Sequence, residues 1–380
     1  MLPPRVRGNG WCVWRYVAVA LGILMLGAVA IGCALTSSEP IARFSCAAGT
    51  YYPYQGITFD GAASSAGRST IEAFEWDFGD GALGTGVVST HAYHAAGNYT
   101  VSLSIRTADG LEASATRVIE VEDALVVPSV CSTIQGAIDQ AKDGDTVVVL
   151  PGTYYVQLAL RGKDVTLKST NPKDPAVVRA TILRPLVVAV VDGISIPGGR
   201  PIVTIGEGSH ATLAGFTITG SVACAECASG AILIRDSSPL IHSNRIIGNK
   251  EGGIVSIESA AQIVENEFSD NVCSPRGLSG AAIHLYGCNL APVIEGNTFS
   301  RNSAQSGGAI YVGSACADLT AGGARAGILK RNTFSGNAAT RYSGGAVFVE
   351  YGARVSLDTP DSNTYQGNTP DSIFYVVPPS

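Results

Sequence analysis

Side chains with the chemistry for catalysis or metal binding are few in this chain and lie far apart. Cys224-Ala-Glu-Cys227 has the spacing of half a zinc site. A structural zinc needs four ligands, and no second pair or nearby His is present, so the motif reads as a loop disulfide. Asp77 and Asp80 flank Phe78-Gly79 and could suggest a calcium site or an acid–base pair. Asp in a tight turn is already explained by hydrogen bonds to its own backbone. His210 and His242 have no partner in view and read as structural. The one suggestive set is His284, Tyr286, Tyr311 and Phe348, which recur at equivalent points of a repeated phrase. On a flat sheet they would form an exposed aromatic stripe suited to the faces of sugar rings, the alternative being a long loop that covers the stripe and packs on it. Glu350 falls in the same region, but two repeats from His284, too far for a catalytic pair.

The elements that must carry these residues follow from the repeat itself. Asn-x-(apolar)-x-x-Asn occurs at 244–249, 266–271, 297–302, 332–337 and 363–368, with a degenerate copy at 214–219. The first Asn residues are 22, 31, 35 and 31 positions apart. Between the copies stands Gly-(Gly/Ala)-(apolar)-x-(apolar), as in Gly307-Gly-Ala-Ile310 and Gly344-Gly-Ala-Val347. Periods of this length signal a solenoid, propeller or array. Each period holds short runs alternating apolar and polar, which predicts strands and not helices. One such unit cannot bury its apolar side alone; stacking puts Ile on Ile and Phe on Phe in one continuous core. Phe268, Phe299 and Phe334 are therefore expected to lie atop one another. The corner Asn residues are expected to take the left-handed bend and to form amide ladders. Cys288 and Cys316 follow corresponding strands and are a candidate inter-coil disulfide, alongside Cys224 with Cys227. The varying period places inserted loops between coils, where binding sites tend to sit.

The amino-terminal segment is of another kind. Arg5, Arg7 and Arg15 precede or open an apolar run over 17–35, the pattern of an export signal. Ala30-Ile-Gly-Cys33 resembles the bacterial lipoprotein box, which implies lipidation of Cys33; an uncleaved membrane anchor over the same residues is the alternative. Residues 1–32 carry three Arg and no acid, so their removal leaves 22 cations against 31 acids, near −9. That charge argues against nucleic acid as a partner. Export permits disulfides among the seven Cys beyond Cys33, an odd number that leaves one thiol over.

Residues 33–40 read as a linker and 41–123 as an all-β sandwich with turn signals every few residues. Trp76-Asp-Phe-Gly-Asp-Gly81, His91-Ala-Tyr93 and Gly97-Asn-Tyr-Thr-Val-Ser-Leu103 resemble the PKD (polycystic kidney disease) domain. The resemblance implies an immunoglobulin-like sandwich used outside cells as a spacer or as a binder of protein or polysaccharide. Trp76 and Phe78 point inward on the alternation alone.

Residues 128–380 form the second part. Ser132 or Thr133 caps a short amphipathic helix with apolar residues at 134, 137, 138 and 141. Strands follow at 146–150, 156–160 and 165–167. Helix, Gly-Asp-Thr-Val, Pro-Gly-Thr-Tyr and Val-Thr-Leu, in that order, resemble the start of the pectin-lyase-like superfamily. This implies an all-β fold: a right-handed single-stranded parallel β-helix plugged at its amino end by the helix. The superfamily includes polysaccharide lyases, hydrolases, esterases and epimerases, and also adhesins without activity. The chain has no Asp-Asp pair, no Gly-His-Gly and no acidic cluster on successive strands. A tethered, non-catalytic binder of polysaccharide or surface protein is therefore expected, with a carbohydrate-active enzyme as the rival. No cofactor is called for, calcium being the one ion left open. Two or more carboxylates converging with an Arg, Lys or His in one groove would favour the enzyme.

Overall fold

The computed structural model describes residues 39–191, 194–197, 200–222, 230–273, 280–287, 292–313, 328–350, 356–357 and 363–376. The apolar run of 17–35, Cys33, Cys224, Cys227, Cys288 and Cys316 lie outside them, and so do the lipidation and disulfide expectations. Among the described residues, no helix is long and apolar enough to cross a membrane.

Two antiparallel sheets form the amino-terminal sandwich. One holds Ser45–Cys46, Ile57–Asp60 and Val88–His91; the other holds Leu83–Thr85, Ile71–Asp77, Gly97–Thr107 and Glu112–Val121. Alternation along these strands sends Phe59, Trp76, Val101, Leu103 and Ile105 inward, each at most 1% exposed. Burying Trp76 and Tyr93 requires partners for their polar ends. The Trp76 indole donates to the Gly86 carbonyl and the Tyr93 hydroxyl to that of Phe78, both at 2.8 Å. Asp77 and Asp80 behave as turn residues: their carboxylates accept from the Gly79 and Ala82 N–H groups.

The rest of the chain winds as a parallel β-helix. The coils give strands to three parallel sheets, of nine, eight and eight strands among the described residues. The first sheet runs through Thr146–Val149, Leu240–His242 and Ile328–Lys330, the second through Arg245–Ile247 and Thr298–Ser300, and the third through Ile254–Ile257 and Ile310–Val312. Leu125–Val127 pairs with Thr146–Val149, so the first sheet begins upstream of residue 128. Tyr52 of the sandwich is buried against Val126 and Val148 of that sheet, with the Lys168 ammonium 4.9 Å from its ring centre. The sandwich thus seats on the amino end of the β-helix.

Helix α1 (Ile134–Gln140) plugs the core with Ile134, Ala137 and Ile138. Thr133 is its N-cap, accepting from the Gly136 N–H at 3.0 Å. At its other end the Lys163 ammonium donates to the carbonyls of Ile138, Asp139 and Ala141, which satisfies groups that a helix end leaves unpaired.

Stacking is as the repeat requires. Phe268, Phe299, Phe334 and Tyr365 lie in one inward column with ring centres 4.7–5.0 Å apart and planes within 10°. Two Asn ladders run beside it. After the first Asn of each ladder, which accepts from the Phe216 or Ser221 N–H, each Asn Oδ1 accepts from the backbone N–H and the amide of the Asn one coil earlier, as Asn302 does for Asn271 at 3.1 and 2.9 Å. Each amide also donates to a buried carbonyl, Asn302 to Phe268. The left-handed bend was expected at the Asn itself and sits instead at the residue before it. Ser243, Glu265, Asp270, Arg301 and Arg331 take φ of 53–57°, as do Gly248, Gly296, Gly336 and Gly367 at 60–65°. An Asn whose amide is committed to the ladder is fully engaged, so the neighbour makes the turn.

Candidate functional site

The aromatic stripe is in the expected register. On the outer face of the third sheet His284, Tyr311 and Phe348 are cross-strand partners, and Phe374 extends the column. Ring centres are 4.8, 5.4 and 5.5 Å apart with planes within 20°. Of the exposed and the covered alternatives, its burial is nearer the covered one. His284 is 8% exposed, Phe348 9%, and Tyr311 is half-buried; Tyr286 alone, at 49%, opens to solvent. The physical reason is the hydrophobic effect, which favours removing such a row of stacked rings from water. Burial raises the Tyr311 phenol well above the usual range, and a hydrogen bond to Glu350 raises it further. Glu350 is thereby engaged with Tyr311.

A second site was not foreseen. Between the strands Thr166–Ser169 and Thr181–Pro185 the chain inserts a loop and helix α2 (Pro175–Ala180). The Asp174 side chain caps it by accepting from the Ala176 N–H at 2.8 Å, with Pro175 in the first turn. Val178 packs inward, and its carbonyl accepts from the Thr217 hydroxyl. Asp-Pro is a legible helix start, and it was the available signal for this wall.

Opposite stand the coil corners that carry Ser243, Arg245, Glu265 and Glu267. Together with Pro172, Lys173, Pro175 and Arg179 they enclose a cleft of about 460 Å³, a size ordinary for small-ligand sites. The left-handed conformations of Ser243 and Glu265 turn these corners. Arg245 Nε donates to Glu267 Oε2 at 2.8 Å. Lys173, Arg179 and Glu265 have no ion-pair partner among the described residues. His242 flanks the cleft, its Nδ1 3.1 Å from the Ser243 hydroxyl. Burial lowers its pKa, Lys173 and Lys168 add to the effect, and Glu265 opposes it.

In residue type this cleft meets the criterion set for an enzyme, since Glu265 and Glu267 converge with Lys173, Arg179 and Arg245. In chemistry it falls short. Glycoside hydrolysis needs two carboxylates free to act across one bond, and Glu267 is occupied by Arg245. What the cleft offers is cationic hydrogen-bond donors for an anion. No group of three or more His, Cys, Asp or Glu able to hold a metal occurs among the described residues. Cys46 and Cys131 are free thiols, and Cys273 is buried with Ala281 and Ala304.

Comparison with known proteins agrees with this architecture. The PKD domain model matches residues 37–122, and the model of the right handed beta helix region matches residues 191–326. A microbial collagenase of Vibrio alginolyticus is 40% identical over 65 residues, 17% of this chain and 8% of that protein. Collagenase ColA of Clostridium perfringens is 37% identical over 68 residues, 18% of this chain and 6% of that protein. The chain therefore spans less than a tenth of the length of either collagenase. The family 28 exopolygalacturonase of Yersinia enterocolitica is 13% identical, covering 89% of this chain and 85% of its own, with a TM-score of 0.32. The molecule is a PKD domain followed by a right-handed parallel β-helix.

Proposed function

We propose that this is an extracytoplasmic recognition protein, tethered by its amino-terminal segment, whose β-helix binds an anionic polysaccharide without cleaving it. One observation carries the reading. Lys173 and Arg179, free of ion pairs among the described residues, converge with Arg245 on a cleft in a chain of net charge −6. Cations held in a concavity against an acidic background select for carboxylate or sulfate groups. The PKD domain, together with the similarity of a short stretch of the chain to two bacterial collagenases, supports the placement outside the cytoplasm. The test is titration with soluble uronic-acid polysaccharides. Binding that Lys173→Ala with Arg179→Ala abolishes supports the reading; binding unchanged in that variant would end it. The tether is tested separately by metabolic lipid labelling, which Cys33→Ser should remove.

A second reading rests on the meeting of Glu265 with Glu267 in the cleft, which favours a lyase or hydrolase. Unsaturated products or new reducing ends from any uronic-acid polysaccharide, lost in Glu265→Gln, would replace the binder with the enzyme.

A further inference from the structure

The cleft holds a carboxylate of its own on one of its cations. Arg245 and Glu267 are cross-strand partners in the second sheet, and both line the cleft. Arg245 Nε donates to Glu267 Oε2 at 2.8 Å, and Nη2 reaches Oε1 at 3.5 Å. The carboxylate thus lies side-on against the guanidinium, in the two-point arrangement that a foreign carboxylate would take. Among the described residues the Arg245 side chain has no other hydrogen-bond partner. Lys173 and Arg179, by contrast, are free of ion pairs among the described residues.

Three observations make this pair exchangeable. It is open to water, the two side chains being 24% and 40% exposed. An ion pair so placed holds weakly, because solvent screens it and two long side chains must be ordered to make it. The corner does not depend on it either. The Arg245 N–H donates to the Phe216 carbonyl, the Glu267 N–H to that of Asn244, and the Asn244 amide to Asn266 Oδ1. Finally, Glu267 has a second partner to retain, since the Ser269 hydroxyl lies 3.4 Å from Oε1.

We propose that Glu267 is a resident competitor, which occupies Arg245 until the carboxylate of a uronic-acid ligand displaces it and which then falls back on Ser269. A neutral sugar has nothing to offer Arg245 in exchange, so Glu267 sets the threshold that makes the cleft select for charge. The proposal rests on the reading of the cleft as an anion site and adds the residue that tunes it.

Calorimetric titration of the whole chain with trigalacturonate tests it. Glu267→Gln keeps the side-chain shape, removes the competitor and should bind up to about fivefold tighter than the parent. Glu265→Gln takes the same charge from the same cleft without freeing Arg245, and should gain about twofold or less. In an Arg245→Gln background, Glu267→Gln should gain no more than Glu265→Gln does, because no guanidinium is left to release. A measurement on the parent chain needs no variant: the Arg245 Nε–H resonance should shift as trigalacturonate is added. Unchanged or weaker binding in Glu267→Gln, or an equal gain in both Gln variants, would overturn the exchange. So would an unmoved Arg245 resonance while the ligand binds. In each of these cases a loss of affinity in Lys173→Ala leaves the cleft reading intact. No binding by the parent or by Glu267→Gln would remove the cleft reading and the exchange with it.

Discussion

The β-helix holds two aromatic columns built by the same repeat, and they have different fates. Phe268, Phe299, Phe334 and Tyr365 stack inside the second sheet; His284, Tyr311, Phe348 and Phe374 stack outside the third. Ring spacing and tilt are nearly the same in both, because strand register sets them. The three Phe rings of the inner column are fully buried by the turns of the coil itself. The outer column points away from the core yet is mostly buried too. Alternation along a strand decides which face a side chain takes, while tertiary cover decides whether that face meets water.

The largest break in this comparison should come from the inner column. Phe299→Ala removes a ring with neighbours above and below, and should cost about 3–5 kcal/mol in denaturant unfolding of the β-helix. A loss under about 1 kcal/mol would mean that the coils do not share one core. Next is the corner that keeps both columns in step. Asn302→Ala strips the Asn271 N–H and amide of their acceptor and the Phe268 carbonyl of a donor, for about 2–4 kcal/mol. Asn302→Asp restores the acceptor without the donor and should recover part of the loss. The smallest effect sharpens the difference between the columns. Phe348→Ala should cost about 2–3 kcal/mol, as a covered ring does, and leave glycan affinity unchanged. Tyr286→Ala, on the open neighbour, should stay within about 0.5 kcal/mol. If Phe348→Ala proved neutral for stability and abolished binding, the outer column would be an open binding face after all.

The sequence was most legible where the repeat was strictest. Five Asn boxes announced the coils, their Phe residues named the inner column, and the Gly-Gly phrases put His284, Tyr311 and Phe348 in register. Phe374 was missed because Asp371-Ser372 stands where the other coils have their Gly phrase. The Trp76–Gly81 turn and the Thr133 cap were equally readable, being local. What lay beyond reach was long-range. The cleft joins corners at the Asn boxes near 244 and 266 to an insertion near residue 175, and the insertion carries no periodic signal. His242 shows the same limit: it read as a lone histidine, and only folding set it near Lys173 and Glu265.

Tyr52 carries a mechanical consequence. Wedged on Val126 and Val148 beneath the Lys168 ammonium, it keys the sandwich to the first coil, while Leu125–Val127 continues straight into the solenoid's own hydrogen bonding. The joint therefore has little freedom to swivel. Force applied at either part passes through that ring and through the Leu125–Val127 strand together, so the solenoid's heading is inherited from the sandwich beneath it.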